Sequence, residues 1–338
     1  MKKWELKSEY SYYGISAKAF RSVHAKFSDE FEIGIFFASF ESRALTSSES
    51  LLKKNSFKYS VIVFFDEAKN TELRKKYDEL LLSQVQECSI NDVIQLRDIS
   101  IKNIYKTLKK ILISIPNKCL TLDANWFLDL GGCPTPYFLG IMGFLRDTFP
   151  RPKLTLFNPT GFYSDNVEEF TFTSGFDKNI WIPRLWGRPD PNADRTYIFL
   201  LGFDGERSYE VFYRCEPDKV RAIVGYPGYE LEYSDVPLKK NELFLKASGL
   251  FEEPLSPKVV RSNAADPIET WQKLKIIVSD IGISNIVFVP IGPKAHALAC
   301  GLFALTDNVP SVLYHLPRTY SIRDVTRGKF IWKYEITL

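Results

Sequence analysis

Short, nearly unbroken apolar runs dominate this chain and leave few folds open to it. Glu32 to Phe40 (EIGIFFASF), Tyr59 to Phe65 (YSVIVFF), Thr196 to Phe203 (TYIFLLGF), Val220 to Gly225 (VRAIVG) and Asn285 to Val289 (NIVFV) are rich in β-branched and aromatic residues. A strand with one wet face alternates polar and apolar residues. A strand buried on both faces does not, and that is the signature of a parallel sheet covered by helices. Weaker runs at Cys119 to Asp123, Lys153 to Asn158 and Pro310 to Tyr314 read as further strands. Helical stripes fall between them, at Leu73, Tyr77, Leu80 and Leu81, and at Ile104, Tyr105, Leu108, Ile111 and Leu112. Helices are also expected over Tyr137 to Leu145, Glu242 to Leu250 and Pro267 to Asp280, and after the turn Pro290 to Pro293. Strands alternating with helices at this spacing form parallel α/β units.

The order of strand ends occurs twice. Phe40 and Phe203, Val63 and Val224, Gly132 and Gly292, and Pro159 and Pro317 are separated by 163, 161, 160 and 158 residues. A near-constant shift that also matches polar strand ends indicates an internal duplication. The expected fold is therefore α/β, with two Rossmann-like parallel-sheet lobes and a β-rich linker between them. The expected divisions are an arm or edge element at 1–30, a first lobe at 31–165, a linker or hairpin at 166–195, a second lobe at 196–321 and a C-terminal edge strand at 322–338.

A length of 338 residues exceeds the usual single domain, in keeping with two lobes. A net charge of +3 gives no bulk attraction to nucleic acid, so direct nucleic-acid binding is not indicated. The 5 cysteines are scattered and form no CxxC pair, which fits reduced thiols rather than a disulfide framework or a zinc site. No apolar run reaches the length of a membrane span, and the start MKKWELKSEY lacks a signal-peptide core. The expectation is a cytoplasmic protein with no membrane association, no metal and no cofactor.

Two kinds of strand end offer chemistry. The first follows the first strand of each lobe: Ser39, Glu41 and Arg43, then Asp204, Glu206 and Arg207. An arginine there can fork onto a phosphate while a carboxylate orients it; the alternative is a plain ion pair at a sheet edge. The second is a turn into a helix: Gly131, Gly132 and Thr135, then Gly292, Lys294 and His296. Glycine allows close backbone approach, and a helix start offers unpaired N–H groups to an anion. Neither turn is a GxGxxG or Walker A motif, so each is also explained as an ordinary strand-to-helix turn. Asp123 and Asp129 flank the first of these turns, and His315 lies at a neighbouring strand end, while His24 stands apart from all of these. Tyr226-Pro227-Gly228-Tyr229 offers a stacking surface or simply a turn.

At Pro290-Ile291-Gly292-Pro293-Lys294-Ala295-His296-Ala297-Leu298 and at the early anion-binding type of strand end, the chain resembles the CRISPR-associated Rossmann fold (CARF) sensors and the related SAVED sensors. SAVED domains look like two fused CARF-type lobes, as the repeat here would require. The resemblance implies a cyclic oligonucleotide ligand and a role in bacterial antiviral defence. The first lobe departs from the pattern, because Gly131-Gly132-Cys133-Pro134-Thr135 has no lysine.

Three functions are open on sequence. The first is binding of a nucleotide-like or phosphorylated ligand in a cleft between lobes, as a sensor or accessory subunit with a protein partner. The second is an enzyme on a nucleotide or sugar phosphate, of the glycosidic hydrolase or transferase type, with Glu41, Asp123 or Asp204 as acid and base. The third is a structural, partner-binding subunit without a ligand.

Overall fold

The computed structural model describes residues 4–23, 29–50, 56–66, 71–117, 120–121, 124–164, 166–251, 256–307 and 310–338. The chain divides into two units, Met1–Ser164 with Ile322–Leu338, and Asp165–Ser321.

Unit 1 opens with a hairpin, β1 (Glu5–Tyr12) and β2 (Ile15–Ser22), whose two-residue turn holds Tyr13 and Gly14 at φ 46° and 80°. Two positive φ values match the twist of a tight hairpin, and Gly14 reaches its angle without strain. Then follow β3 (Phe31–Ala38), α1 (Thr46–Ser50), β4 (Phe57–Phe65), α2 (Glu72–Cys88), β5 (Val93–Ile99), α3 (Ile104–Ser114), β6 (Asn125–Asp129), α4 (Thr135–Thr148) and β7 (Lys153–Phe162). The last strand of the chain, β14 (Thr326–Thr337), completes this sheet, whose order is β1-β2-β14-β7-β6-β3-β4-β5. The pairs β5-β4, β4-β3, β3-β6 and β6-β7 are parallel, while β14 runs antiparallel to both β7 and β2. One face of the sheet is filled by phenylalanines: the rings of Phe31, Phe57 and Phe127 lie 5.1–5.6 Å apart, centre to centre. Rings at this separation pack edge to face or offset and dominate a core's buried apolar area.

Unit 2 contains β8 (Thr173–Trp181), β9 (Thr196–Leu201), α5 (Gly205–Cys215), β10 (Lys219–Gly225), α6 (Val236–Lys240), α7 (Glu242–Ala247), β11 (Val259–Ser262), α8 (Pro267–Ile281), β12 (Ile286–Pro290), α9 (Lys294–Thr306) and β13 (Ser311–Tyr320). Its sheet order is β11-β10-β9-β12-β13-β8, parallel throughout except for β8 against β13. Strand for strand this repeats β5-β4-β3-β6-β7-β14. Both fifth strands, β7 and β13, are 10 residues long with proline seventh, Pro159 and Pro317. The register slips at or beside that proline in both sheets, as expected where an N–H is missing from a ladder. The repeat also shows an exchange. The strand that follows β7 in the chain is β8, which completes the unit 2 sheet; the strand that follows β13 is β14, which completes the unit 1 sheet.

The expectations for individual segments fare differently. The described strand in this region is Asn125–Asp129, in which Trp126, Phe127 and Leu128 are buried, while Leu120 and Thr121 of the expected strand are half-buried and exposed. The rest of that expected strand, Cys119, Leu122 and Asp123, lies outside the described residues. Of the two readings for segment 1–30, the edge element fits: β1 is the outermost strand of the sheet, bonded to it through β2. The segment 166–195 carries a strand of its own, β8, which pairs along the length of β13 in the unit 2 sheet. The C-terminal strand is interior, not an edge: β14 is hydrogen-bonded on both sides, to β2 and β7.

Candidate functional site

In each sheet the central strand neighbours the fourth strand, β3 beside β6 and β9 beside β12, and the strand order reverses there. Open α/β sheets bind ligands outside the strand carboxyl ends at this switch point. The structure brings Ser39, Gly132 and Thr135 to the switch point of unit 1, and Asp204, Gly292 and Lys294 to that of unit 2. At both, glycine is required because two backbones touch. A Cβ on Gly132 would lie 2.2 Å from the Phe37 carbonyl oxygen, and one on Gly292 would lie 2.5 Å from that of Leu201. Packing between adjacent strand ends accounts for both residues.

The helices that leave these turns share with α3 and α6 the lack of a side-chain cap and of an acidic residue in the first turn, while two other helices are capped. α2 is capped by the Thr71 side chain, and α8 by Asp266, whose carboxylate accepts from the amides of Ile268 and Glu269 at 2.9 and 3.2 Å. α4 and α9 instead begin after Pro134 and Pro293, with no side-chain cap and no acidic residue in the first turn. Half-buried Thr135 and Lys294 are their first residues. Each start leaves N–H groups and the positive end of a helix dipole at the sheet's carboxyl edge. Asp129, fully buried at the end of β6, accepts from the Gly131 amide at 2.9 Å and so folds the first turn.

The first-strand turns are used differently. In unit 1 the Arg43 Nε donates to Glu41 at 2.6 Å, and the Ser39 hydroxyl accepts from the Glu41 amide at 3.2 Å. The crossover into β14 lies against this turn. Asp324 accepts from the Ser42 amide at 2.7 Å and the Val325 carbonyl from the Arg43 amide at 3.1 Å. In unit 2 the crossover into β8 does the same: Thr173 donates to Asp204 at 2.5 Å, and the Phe172 and Phe203 rings lie 5.9 Å apart. Arg207 donates to the His315 carbonyl at 2.5 Å, with its guanidinium 5.1 Å from the centre of the Tyr314 ring. Burial pushes the Asp204 carboxyl above its ordinary range, against the pull of Arg207 and Thr173. Glu41 and Arg43 are thus paired with each other, Asp204 holds the start of β8, and Arg207 is held against β13.

His296 is fully buried, and its Nε2 lies 3.1 Å from the Asn263 carbonyl, to which it donates. Burial lowers its pKa to about 4, so it is neutral at pH 7 and supplies no positive charge to an anion. His24 lies outside the described residues. One surface was anticipated as a stacking face or a turn, and a second, a cleft, escaped the sequence reading. Tyr226, 41% exposed after β10, carries the Arg261 guanidinium 4.6 Å above its ring, and Pro293 lies 3.6 Å from where a Cβ on Gly225 would sit. A cleft of about 330 Å³ opens at the carboxyl ends of β4 and β5, lined by Phe64, Asp66, Lys75, Asp78, Arg97 and Asp98 among others. Among the described residues, no group of three or more His, Cys, Asp or Glu side chains is placed to hold a metal ion. No helix in those residues is long and apolar enough to cross a membrane.

Fold and turns together define a two-unit, Rossmann-like α/β protein. No family model matches the chain, and no curated protein matches it. Among solved structures it is similar to the cytoplasmic domain of a prokaryotic cation chloride cotransporter, at 8% identity over 87% of this chain and 98% of that one, with a TM-score of 0.24. A likeness of that degree carries nothing on function.

Proposed function

We propose that the protein binds a phosphorylated, nucleotide-like ligand at the carboxyl edge of the unit 2 sheet, as a sensor or accessory subunit. The observation that carries this reading is the start of α9. It is an uncapped helix of 13 residues at a switch point, with a lysine first and no acid in its first turn. That arrangement suits a phosphate group. The Tyr226 ring beyond Gly225 offers a face for a planar base. The resemblance of residues 290–298 to CARF-type sensors supports a cyclic oligonucleotide as the ligand class and antiviral defence as the context. The enzyme reading has less support, because Glu41 and Asp204 are bound to Arg43 and to Thr173.

Calorimetric titration with cyclic di- and oligonucleotides, mononucleotides and sugar phosphates tests the proposal, each hit followed by product analysis. The expected result is binding without turnover that Lys294→Ala weakens about tenfold, the scale of one charge-assisted phosphate contact. Consumption of the bound compound, or binding indifferent to Lys294→Ala, overturns it.

A further inference from the structure

The two crossovers occupy equivalent places and are fastened by different chemistry. The one entering β8 is held by aromatic packing. Phe170, Phe172, Phe203 and Tyr233 follow one another at ring separations of 6.1, 5.9 and 5.7 Å, and Lys240 donates to the Phe170 carbonyl at 2.6 Å. The one entering β14, residues 321–325, is held by hydrogen bonds around an exposed carboxylate. Asp324 Oδ1 takes the Ser42 amide at 2.7 Å and Oδ2 the Tyr77 hydroxyl at 2.9 Å. Val325 alone is buried there, and one of its methyl carbons lies 2.9 Å from where a Cβ on Gly161 would sit. At its other end Ser321 is anchored in unit 2, its amide donating to the Phe172 carbonyl at 2.9 Å and its hydroxyl to that of Thr171 at 2.5 Å.

We infer that residues 321–325 form a releasable strap, with Asp324 as its catch, that opens over the turn Ser39–Arg43 while the strap at 166–172 stays closed. The physical asymmetry is one of solvent. Hydrogen bonds at an exposed carboxylate compete with water and open locally, whereas a chain of packed rings opens only when buried apolar surface is exposed. Release frees the Ser42 and Arg43 amides at the carboxyl end of β3. It also loosens the chain that continues directly from β13, so the state of the unit 1 turn is linked through the backbone to the fifth strand of unit 2. The inference is independent of any ligand.

Hydrogen–deuterium exchange on the full chain tests it, comparing the wild type with Asp324→Ala, Asp324→Asn and Tyr77→Phe. Peptides covering 39–45 and 321–326 exchange about tenfold faster in Asp324→Ala, on the scale of one lost charge-assisted bond. Tyr77→Phe gives a smaller increase, and Asp324→Asn, which can still accept from Ser42, a partial one. Peptides covering 166–173 and 203–208 keep wild-type rates throughout. Unchanged exchange at 39–45 in Asp324→Ala, or equal acceleration at both straps, refutes the releasable strap.

Discussion

Acid should destabilise this protein through His315, and the size of the effect follows from where that ring sits. His315 lies on β13, is 1% exposed, and has no hydrogen-bond partner for either ring nitrogen among the described residues. Phe176 lies 5.3 Å from it, centre to centre. Burial, then the nearby Arg207 and Arg214 charges, lower its pKa from the ordinary 6.5 to about 3. The neutral ring is therefore the native form, and the unfolded chain binds the extra proton. Stability is complete above about pH 6.5 and falls as pH drops below that value. At about pH 5 the unfolded histidine is almost wholly protonated and the native one is not, a cost of about 2 kcal/mol at roughly 1.4 kcal/mol per pH unit. His296, buried and lowered to about 4, falls in the same window. Urea unfolding at about pH 7.5 and about pH 5, in wild type and in His315→Leu, isolates the term. The variant should lose about 2 kcal/mol less than the wild type over that interval. An identical loss in both proteins refutes the assignment of a buried neutral His315.

Three further outcomes are expected. Gly132→Ala and Gly292→Ala each place a methyl group within 2.5 Å of a backbone carbonyl oxygen, and each should cost more than about 2 kcal/mol in chemical unfolding. Residues 166–321 contain every strand of the unit 2 sheet and should show a cooperative unfolding transition alone. Residues 1–164 lack β14, which joins the β1-β2 hairpin to β7, and should show no cooperative transition until residues 322–338 are restored.

Much of the fold was legible because its parallel strands are buried on both faces. Thr196–Leu201, for example, is buried at every position and reads as one apolar run. β5 was illegible for the opposite reason: at the sheet edge it carries Gln95, Arg97 and Asp98, and shows no run at all. The duplication could be read from Pro159 and Pro317, but the exchange of β8 and β14 could not. Nothing local to either strand tells which sheet it will pair with. At the site, the sequence pointed to turns at the strand ends, and the structure adds which partners the side chains there find. Glu41, Arg43, Asp204 and Arg207 look like ligand-binding residues in one dimension; the fold pairs Glu41 with Arg43, Asp204 with Thr173 and Arg207 with the His315 carbonyl of β13. His296 sits in the first turn of an apolar helix, where small neighbours such as Ala295 and Ala297 point to burial as readily as to a site. Lys294 keeps its place at the start of α9.

The central claim, that the carboxyl edge of unit 2 receives a phosphorylated ligand at the start of α9, is tested most directly by titrating cyclic oligonucleotides and mononucleotides into wild type and Lys294→Ala. The account predicts saturable binding to the wild type, weakened about tenfold by the substitution with the fold intact. Equal affinity in the two proteins, or no binding by folded wild type to any of these compounds, contradicts it.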